Sequence, residues 1–216
     1  MAAIDDFTQQ RIAMVREQIE ARGISDARVL AAMRSTPRHE FVSREMAGEA
    51  YEDHPVPIGH GQTISQPYIV AYMTAMLKVE QHHEVLEIGT GCGYQTAVLS
   101  QLCARVYTIE IVEDLARMAR KNLERAGVHN VDFYCGDGGQ GWPEARQFDR
   151  ILAAAAAARI PEALLNQLAP GGRMILPVGT EMQDLILVEH TDSGFRQTRL
   201  LGVRFVPLVS SPQTMD

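Results

Sequence analysis

The 216-residue sequence predicts an α/β fold, a doubly wound parallel sheet with an antiparallel C-terminal edge, preceded by an N-terminal helical addition. Three observations predict it. From Glu84 onward short β-rich runs alternate with helical stretches, the pattern of strands joined by crossover helices. The first of those strands, residues 85–88, runs into a glycine-rich turn and a helix, where open α/β sheets place their ligands. Beyond Pro177 the alternation stops, and residues 185–188 and 195–205 read as consecutive strands around a Ser193-Gly194 turn.

Along the chain, Ile12, Val15 and Ile19 recur at helical spacing, and Gly23 supplies a stop just beyond them. Ser25 is placed to cap a second short helix carrying Val29, Leu30 and Met33, which Pro37 ends. Residues 48–66, with three Gly, two Pro, His54 and His60, read as a loop. Pro67 opens an apolar helix through Tyr68, Ile69, Tyr72, Met73, Met76 and Leu77. The sheet region then reads strand 85–88, helix 94–101, strand 106–109, helix 113–125 stopped by Gly127, strand 131–135 and strand 150–154. Pro161 opens a helix through Leu168, and Pro170-Gly171-Gly172 turns the chain into a strand at 173–177. No linker or repeat interrupts this order, so residues 1–216 are expected to form one domain, 1–80 as the helical segment and 81–216 as the α/β core.

Twenty Lys plus Arg against 27 Asp plus Glu leave a net charge of -7, with no basic run. A nucleic-acid partner is disfavoured, because phosphate binding draws on a positive surplus. The longest uncharged apolar run, residues 151–158, falls far short of the ~20 residues that span a bilayer. The N-terminus, with Asp5 and Asp6, lacks the apolar stretch of a secretory signal, so neither a membrane nor export is expected. Cys92, Cys103 and Cys135, scattered and without C-x-x-C spacing, fit a reduced, cytoplasmic compartment. His54 and His60 have no Cys or carboxylate at ligand spacing, so no metal site is expected.

The chemistry concentrates in Val85-Leu86-Glu87-Ile88-Gly89-Thr90-Gly91-Cys92-Gly93-Tyr94. Glycines let a ligand approach the backbone with no Cβ in the way. Tyr94 stands where a dinucleotide fingerprint has its third glycine, so a nicotinamide-linked oxidoreductase is only partly matched. Glu87 would repel a pyrophosphate and attract a sulfonium or an amino group. Glu110 ends the second strand, where acidic residues accept from ribose hydroxyls. Asp137 ends the third, where a carboxylate can accept from an exocyclic amine. Singly, each also reads as plain turn or surface chemistry. Jointly they form an acidic cup for adenosine carrying a positive sulfur, the site of a class I S-adenosylmethionine-dependent methyltransferase with a Rossmann-like sheet.

The run Gly59-His60-Gly61-Gln62-Thr63-Ile64-Ser65-Gln66-Pro67-Tyr68-Ile69-Val70-Ala71 closely resembles the signature of the protein-L-isoaspartate(D-aspartate) O-methyltransferase family. So do residues 85–96, Gly136-Asp137-Gly138 with Gly141-Trp142-Pro143, residues 168–179, and Val203-Arg204-Phe205-Val206-Pro207-Leu208, in the family's order. The resemblance implies a protein repair enzyme. It moves the methyl group of S-adenosylmethionine to the α-carboxylate of L-isoaspartyl residues in damaged proteins and peptides, leaving S-adenosylhomocysteine and an ester that collapses to a succinimide. It further implies Ser65 as the active-site serine, and Gln62, Thr63, Ile64, Ser65 and Val209 as substrate-binding. Glu87, Gly89, Thr90, Gly91, Gly93, Glu110, Ile111, Asp137 and Gly138 match the cofactor-binding positions, and residues 1–80 become the substrate-side segment. Oligomeric state stays open, a monomer being the simpler expectation.

A carboxylate is already ionised at neutral pH and needs no general base to attack a sulfonium methyl. The lack of a Ser/His/Asp triad is therefore expected, and Ser65 would orient the acceptor; it also reads as an ordinary helix N-cap. Two departures stand out: six alanines, Ala153 to Ala158, where the family has an Ala-Ala-Pro-like turn, and Val209, followed by Ser210 and Ser211, where some members carry a hydroxyl residue. The alternatives are a class I methyltransferase acting on a small molecule or RNA, though no Asn/Asp-Pro-Pro-Tyr-like motif occurs, and a non-catalytic binding module on the same fold.

Overall fold

A computed structural model describes residues 6–209; Asp5, Ser210 and Ser211 lie outside the described residues. Helix α1 (Asp6–Met14) runs into a π turn at Val15–Ile19 and a 3-10 turn at Glu20–Arg22, closed by Gly23 at φ 91°. The π turn accommodates an extra residue. Met14, Val15 and Ile19 are buried while Ile12 is 41% exposed, so Ile12 is off the core face expected for it. Helix α2 (Ala27–Ser35) is capped by Asp26 rather than Ser25: its carboxylate accepts from the amides of Arg28 (2.9 Å) and Val29 (3.3 Å). An anion there also complements the positive helix start. The stretch expected to be loop contains a hairpin, β1 (Val56–Gly59) and β2 (Gln62–Ile64), with His60 and Gly61 at positive φ in its tip. Strands of four and three residues are too short to show alternation in sequence. Helix α3 (Pro67–Leu77) follows as expected.

The remaining elements are β3 (Glu84–Ile88), α4 (Tyr94–Ser100), β4 (Arg105–Glu110), α5 (Glu113–Arg125), β5 (Val131–Cys135), β6 (Phe148–Ala153), α6 (Glu162–Asn166), β7 (Leu168–Gly179), β8 (Gln183–Thr191) and β9 (Gly194–Val203). The helix opened by Pro161 ends at Asn166, because Leu168 is already paired with Phe148 across the sheet. Strand order is β5-β4-β3-β6-β7-β8-β9; β3 to β7 run parallel, and β8 and β9 form the antiparallel edge. Succession from β3 goes to β4 on one side and β6 on the other, which opens a crevice at their carboxyl ends.

Both faces of the sheet are covered, which is why β3 reads as a nearly continuous apolar run. Val85 packs with the N-terminal layer (Met14, Ile19, Met33, Phe41, Leu77), and Leu86 and Ile88 pack on the other face with Tyr107, Trp142, Phe148 and Leu164. The N-terminal layer is bound to the turn after β3 by a fully buried arginine. Arg38 donates through Nε to the Ala50 carbonyl (2.6 Å) and lies 4.9 Å from the centre of the Tyr94 ring. Its burial lowers the guanidinium pKa, and Nη1 and Nη2 have no hydrogen-bond partner.

Candidate active site

The turn after β3 is left-handed at all three glycines, with φ of 88° at Gly89, 55° at Gly91 and 90° at Gly93. A Cβ on Gly93 would stand 3.1 Å from Leu123 Cγ, so α4 starts hard against α5. The carboxylate of Glu110, at the end of β4, closes the turn: Oε2 accepts from the Gly91 amide (2.8 Å) and Oε1 from the Val112 amide (3.0 Å). After β5, Gly138 lies flush on β3, where a Cβ would run into Ile88 Cγ2. Gly89, Thr90, Gly91, Glu110, Ile111 and Gly138 thereby line one wall of a single deep cavity.

The facing wall comes from outside the main sheet. Gln62, Thr63, Ile64 and Ser65 of the hairpin and its exit line it, together with residues 205–209. Ile58 Cδ1 bridges the walls, 3.3 Å from where a Cβ on Gly91 would stand. The tail is held by the alanine run, which is an extended segment wedged between β7 and the tail. Ala156 donates to Val206 O and accepts from the Leu208 amide, both 2.8 Å, while Ala157 donates to Pro177 O (3.1 Å) and accepts from the Gly179 amide (2.9 Å). Small side chains fit that sandwich.

Ser65 is not the helix cap: Gln66 (φ -48°, ψ 138°) flanks α3 with no side-chain cap, and its Nε2 donates to the Asp53 carbonyl and carboxylate instead. A second, open groove lined by Pro55, Ile69, residues 179–184, Arg199 and Arg204 shares Thr63, Ser65 and residues 205–208 with the cavity. Ser65 stands where the two meet.

The expected three-carboxylate cup is corrected: among the described residues only Glu110 puts a carboxylate on the cavity wall. Asp137 accepts from the Gly139 amide (2.8 Å) and caps the short turn Gly138–Gln140. Gly93 lies behind the wall. Glu87 is fully buried beneath it, because it sits within β3 at a position whose side chain enters the packed interior. Its Oε2 accepts from Thr96 Oγ1 (2.5 Å) and Thr108 Oγ1 (2.7 Å), and its Oε1 has no partner. Burial pushes this carboxyl up to about 7, against the two threonine bonds that hold it down. Thr96 and Thr108 were missed from sequence; a threonine inside the apolar Val106-Tyr107-Thr108-Ile109 was the available signal, since a buried hydroxyl demands a partner.

No Lys, Arg or His among the described residues lines the cavity. One carboxylate and Cβ-free backbone suit adenosine bearing a cationic sulfur, and suit a pyrophosphate poorly. The family model of Protein-L-isoaspartate(D-aspartate) O-methyltransferase (PCMT) matches residues 9–213. The chain belongs to that family. A protein-L-isoaspartate O-methyltransferase 2 of Marinobacter nauticus is 53% identical over 207 residues, 94% of each chain. One from Methanoculleus marisnigri is 50% identical over 95% of this chain and 94% of its own. Among solved structures, a protein-L-isoaspartate O-methyltransferase superposes with a TM-score of 0.84 at 28% identity, over 95% of this chain and 67% of that one. A Plasmodium falciparum beta-aspartate methyltransferase (PCMT) in complex with S-adenosyl-L-homocysteine gives 0.80 at 25% identity, over 96% and 100%. The fold is that of class I methyltransferases.

Proposed function

We propose that the deep cavity takes S-adenosylmethionine and the open groove takes the damaged polypeptide, the two meeting at Ser65. As a protein-L-isoaspartate O-methyltransferase, the enzyme methylates the α-carboxylate of L-isoaspartyl residues in damaged proteins and peptides, using S-adenosylmethionine. The observation that carries the division of labour is the junction itself: Thr63, Ser65 and residues 205–208 belong to both spaces.

S-adenosylmethionine, when bound, supplies an electrophilic methyl group on a sulfonium. Glu110 keeps lone pairs for the ribose hydroxyls after accepting two amides, Gly89, Thr90 and Gly91 frame the methionine side with Gly93 bracing the turn from behind, Glu87 lies beneath it, and Ile111 and Gly138 frame the adenine, with Asp137 capping the turn that carries Gly138. On the other wall Gln62, Thr63, Ile64 and Val209 confine the acceptor. Ser65 donates from its hydroxyl to the acceptor carboxylate and sets which oxygen faces the methyl. That carboxylate, with an unperturbed pKa of about 3.5–4, attacks without a base. The chain's contribution is alignment and exclusion of water by the apolar Ile64, Val70 and Met73, and alignment of this kind lowers barriers by roughly 7–11 kcal/mol. No helix among the described residues is long and apolar enough to cross a membrane, and the cysteines are free, which supports a cytoplasmic setting.

Methylation of two peptides differing only in aspartyl versus isoaspartyl linkage tests the reading. Transfer to the isoaspartyl peptide alone is expected; equal transfer to both overturns it.

A further inference from the structure

We propose that Gln183 is a positioning residue for methyl transfer: by a two-point clamp on Phe205 it sets the opening through which the groove meets the deep cavity. The proposal rests on the reading that the cavity takes the cofactor and the groove the polypeptide.

The two spaces share Thr63, Ser65, Ala154 and residues 205–208. Two segments cross at that junction. Along the hairpin exit, Gln62 and Ile64 line the cavity alone, whereas Gln66 and Ile69 line the groove alone. Along the tail, Arg204 lines the groove alone and Val209 the cavity alone. The acceptor carboxylate and the methyl group must meet between these segments, so the register of the tail decides how they align.

That register is not set by the sheet. The β8–β9 ladder starts with Gln183 opposite Val203, the last residue of β9, and stops there because the chain before Gln183 is the turn from β7. The Gln183 side chain carries the pairing further. Its Nε2 donates to the Phe205 carbonyl (3.0 Å), and the Phe205 amide donates to its Oε1 (2.6 Å). The N–H and C=O of one extended residue point the same way, and a primary amide offers an acceptor and a donor side by side. Because the Phe205 N–H can only donate and its C=O only accept, the orientation of the Gln183 amide is fixed. The following residues turn to the other edge, where Val206 O accepts from the Ala156 amide and the Leu208 amide donates to Ala156 O, both 2.8 Å. Without Gln183, among the described residues, the bonds to Ala156 alone hold the tail in register. A misplacement of about 1 Å between reacting groups costs up to about a hundredfold in rate.

Steady-state methylation of an isoaspartyl peptide, with calorimetric titration of S-adenosylhomocysteine, tests this on the full chain, Gln183→Met and Gln183→Glu. Gln183→Met keeps the side-chain length and removes both bonds. Its kcat is expected to fall about tenfold, with peptide KM and S-adenosylhomocysteine affinity changed less than about threefold. Gln183→Glu adds a readout in pH. Protonated, the introduced carboxyl offers a donor and an acceptor and restores the clamp; ionised, it has no proton for the Phe205 carbonyl. Its kcat relative to the unsubstituted chain, about a tenth at pH 8, should rise at least about twofold by pH 5, where a carboxyl with an unperturbed pKa of about 4.3 is partly protonated. The charged groups of the groove, Glu181, Asp184, Arg199 and Arg204, are common to both chains and cancel in that ratio. A flat ratio overturns the proposal. So does a Gln183→Met chain that raises peptide KM with kcat intact, or that loses kcat, peptide affinity and cofactor affinity in step. Should one variant fail to fold, the other decides alone. If the peptide displaces S-adenosylhomocysteine from the unsubstituted chain, the division into two spaces falls and the clamp's role with it; a flat ratio without displacement sinks the clamp alone.

Discussion

The cavity wall formed at the tips of β3, β4 and β5 hangs on a parallel ladder, and its contacts are backbone contacts: glycines at positive φ, two amides on Glu110, and Gly138 flat against Ile88. The wall opposite belongs to no part of the seven-stranded sheet. It is a two-stranded hairpin and a tail, fastened by Gln66 to Asp53 and by the tail's pairing with Ala156. The first wall is made of backbone atoms held in place by the ladder and by the Glu110 carboxylate. The second presents side chains on short, locally fastened segments. On the reading proposed above, recognition of the cofactor is built into the fold, whereas handling of the acceptor is an addition to it.

That contrast can be broken most sharply at Glu110. Replacing it by Ala leaves the amides of Gly91 and Val112 without their carboxylate acceptor and, on the proposed assignment, removes the ribose acceptor. A loss of at least about a hundredfold in S-adenosylhomocysteine affinity, ~2.7 kcal/mol, is expected by calorimetry. On the opposite wall, Ser65→Ala should lower kcat about tenfold or more, the worth of one hydrogen bond to a charged acceptor, with cofactor affinity held within about twofold and Tm unchanged. A parallel fall in cofactor affinity would show that the walls are not separable.

Ile58 joins the two walls, and truncation to Ala should loosen that contact by about 1–2 kcal/mol and raise KM for peptide and cofactor together by several-fold in steady-state assays. A rise for one substrate alone would place Ile58 on a single wall. A separate effect concerns stability without ligand. The Glu87 carboxyl is raised from 4.5 to about 7 on folding, so its ionisation opposes the folded state progressively as pH climbs through that window. Glu87→Gln should therefore match the parent in Tm near pH 5 and exceed it by a few degrees near pH 8; a constant difference across that range would assign the titration to another group.

Much of this contrast was legible beforehand. The alternation from Glu84 on, the glycine turn and the acidic strand end at Glu110 are local signals, each readable within one strand–turn–helix unit. Residues 56–64 read as loop in the sequence because strands of four and three residues carry no visible alternation. Asp26 rather than Ser25 caps α2, because its carboxylate reaches the Arg28 and Val29 amides, and Gln66 rather than Ser65 flanks α3.

The chain's own residues determined the order of elements, the parallel sheet with its antiparallel edge, and the chemistry available at the strand tips, since periodicity, glycine and charge act over a few residues. Only the tertiary structure decided which carboxylate faces the cavity, that Glu87 turns inward to two threonines, and that the alanine run carries the tail. Those depend on contacts between residues far apart in sequence, such as Ala156 with Val206 and Gly91 with Glu110, and no local pattern encodes which pairs will meet.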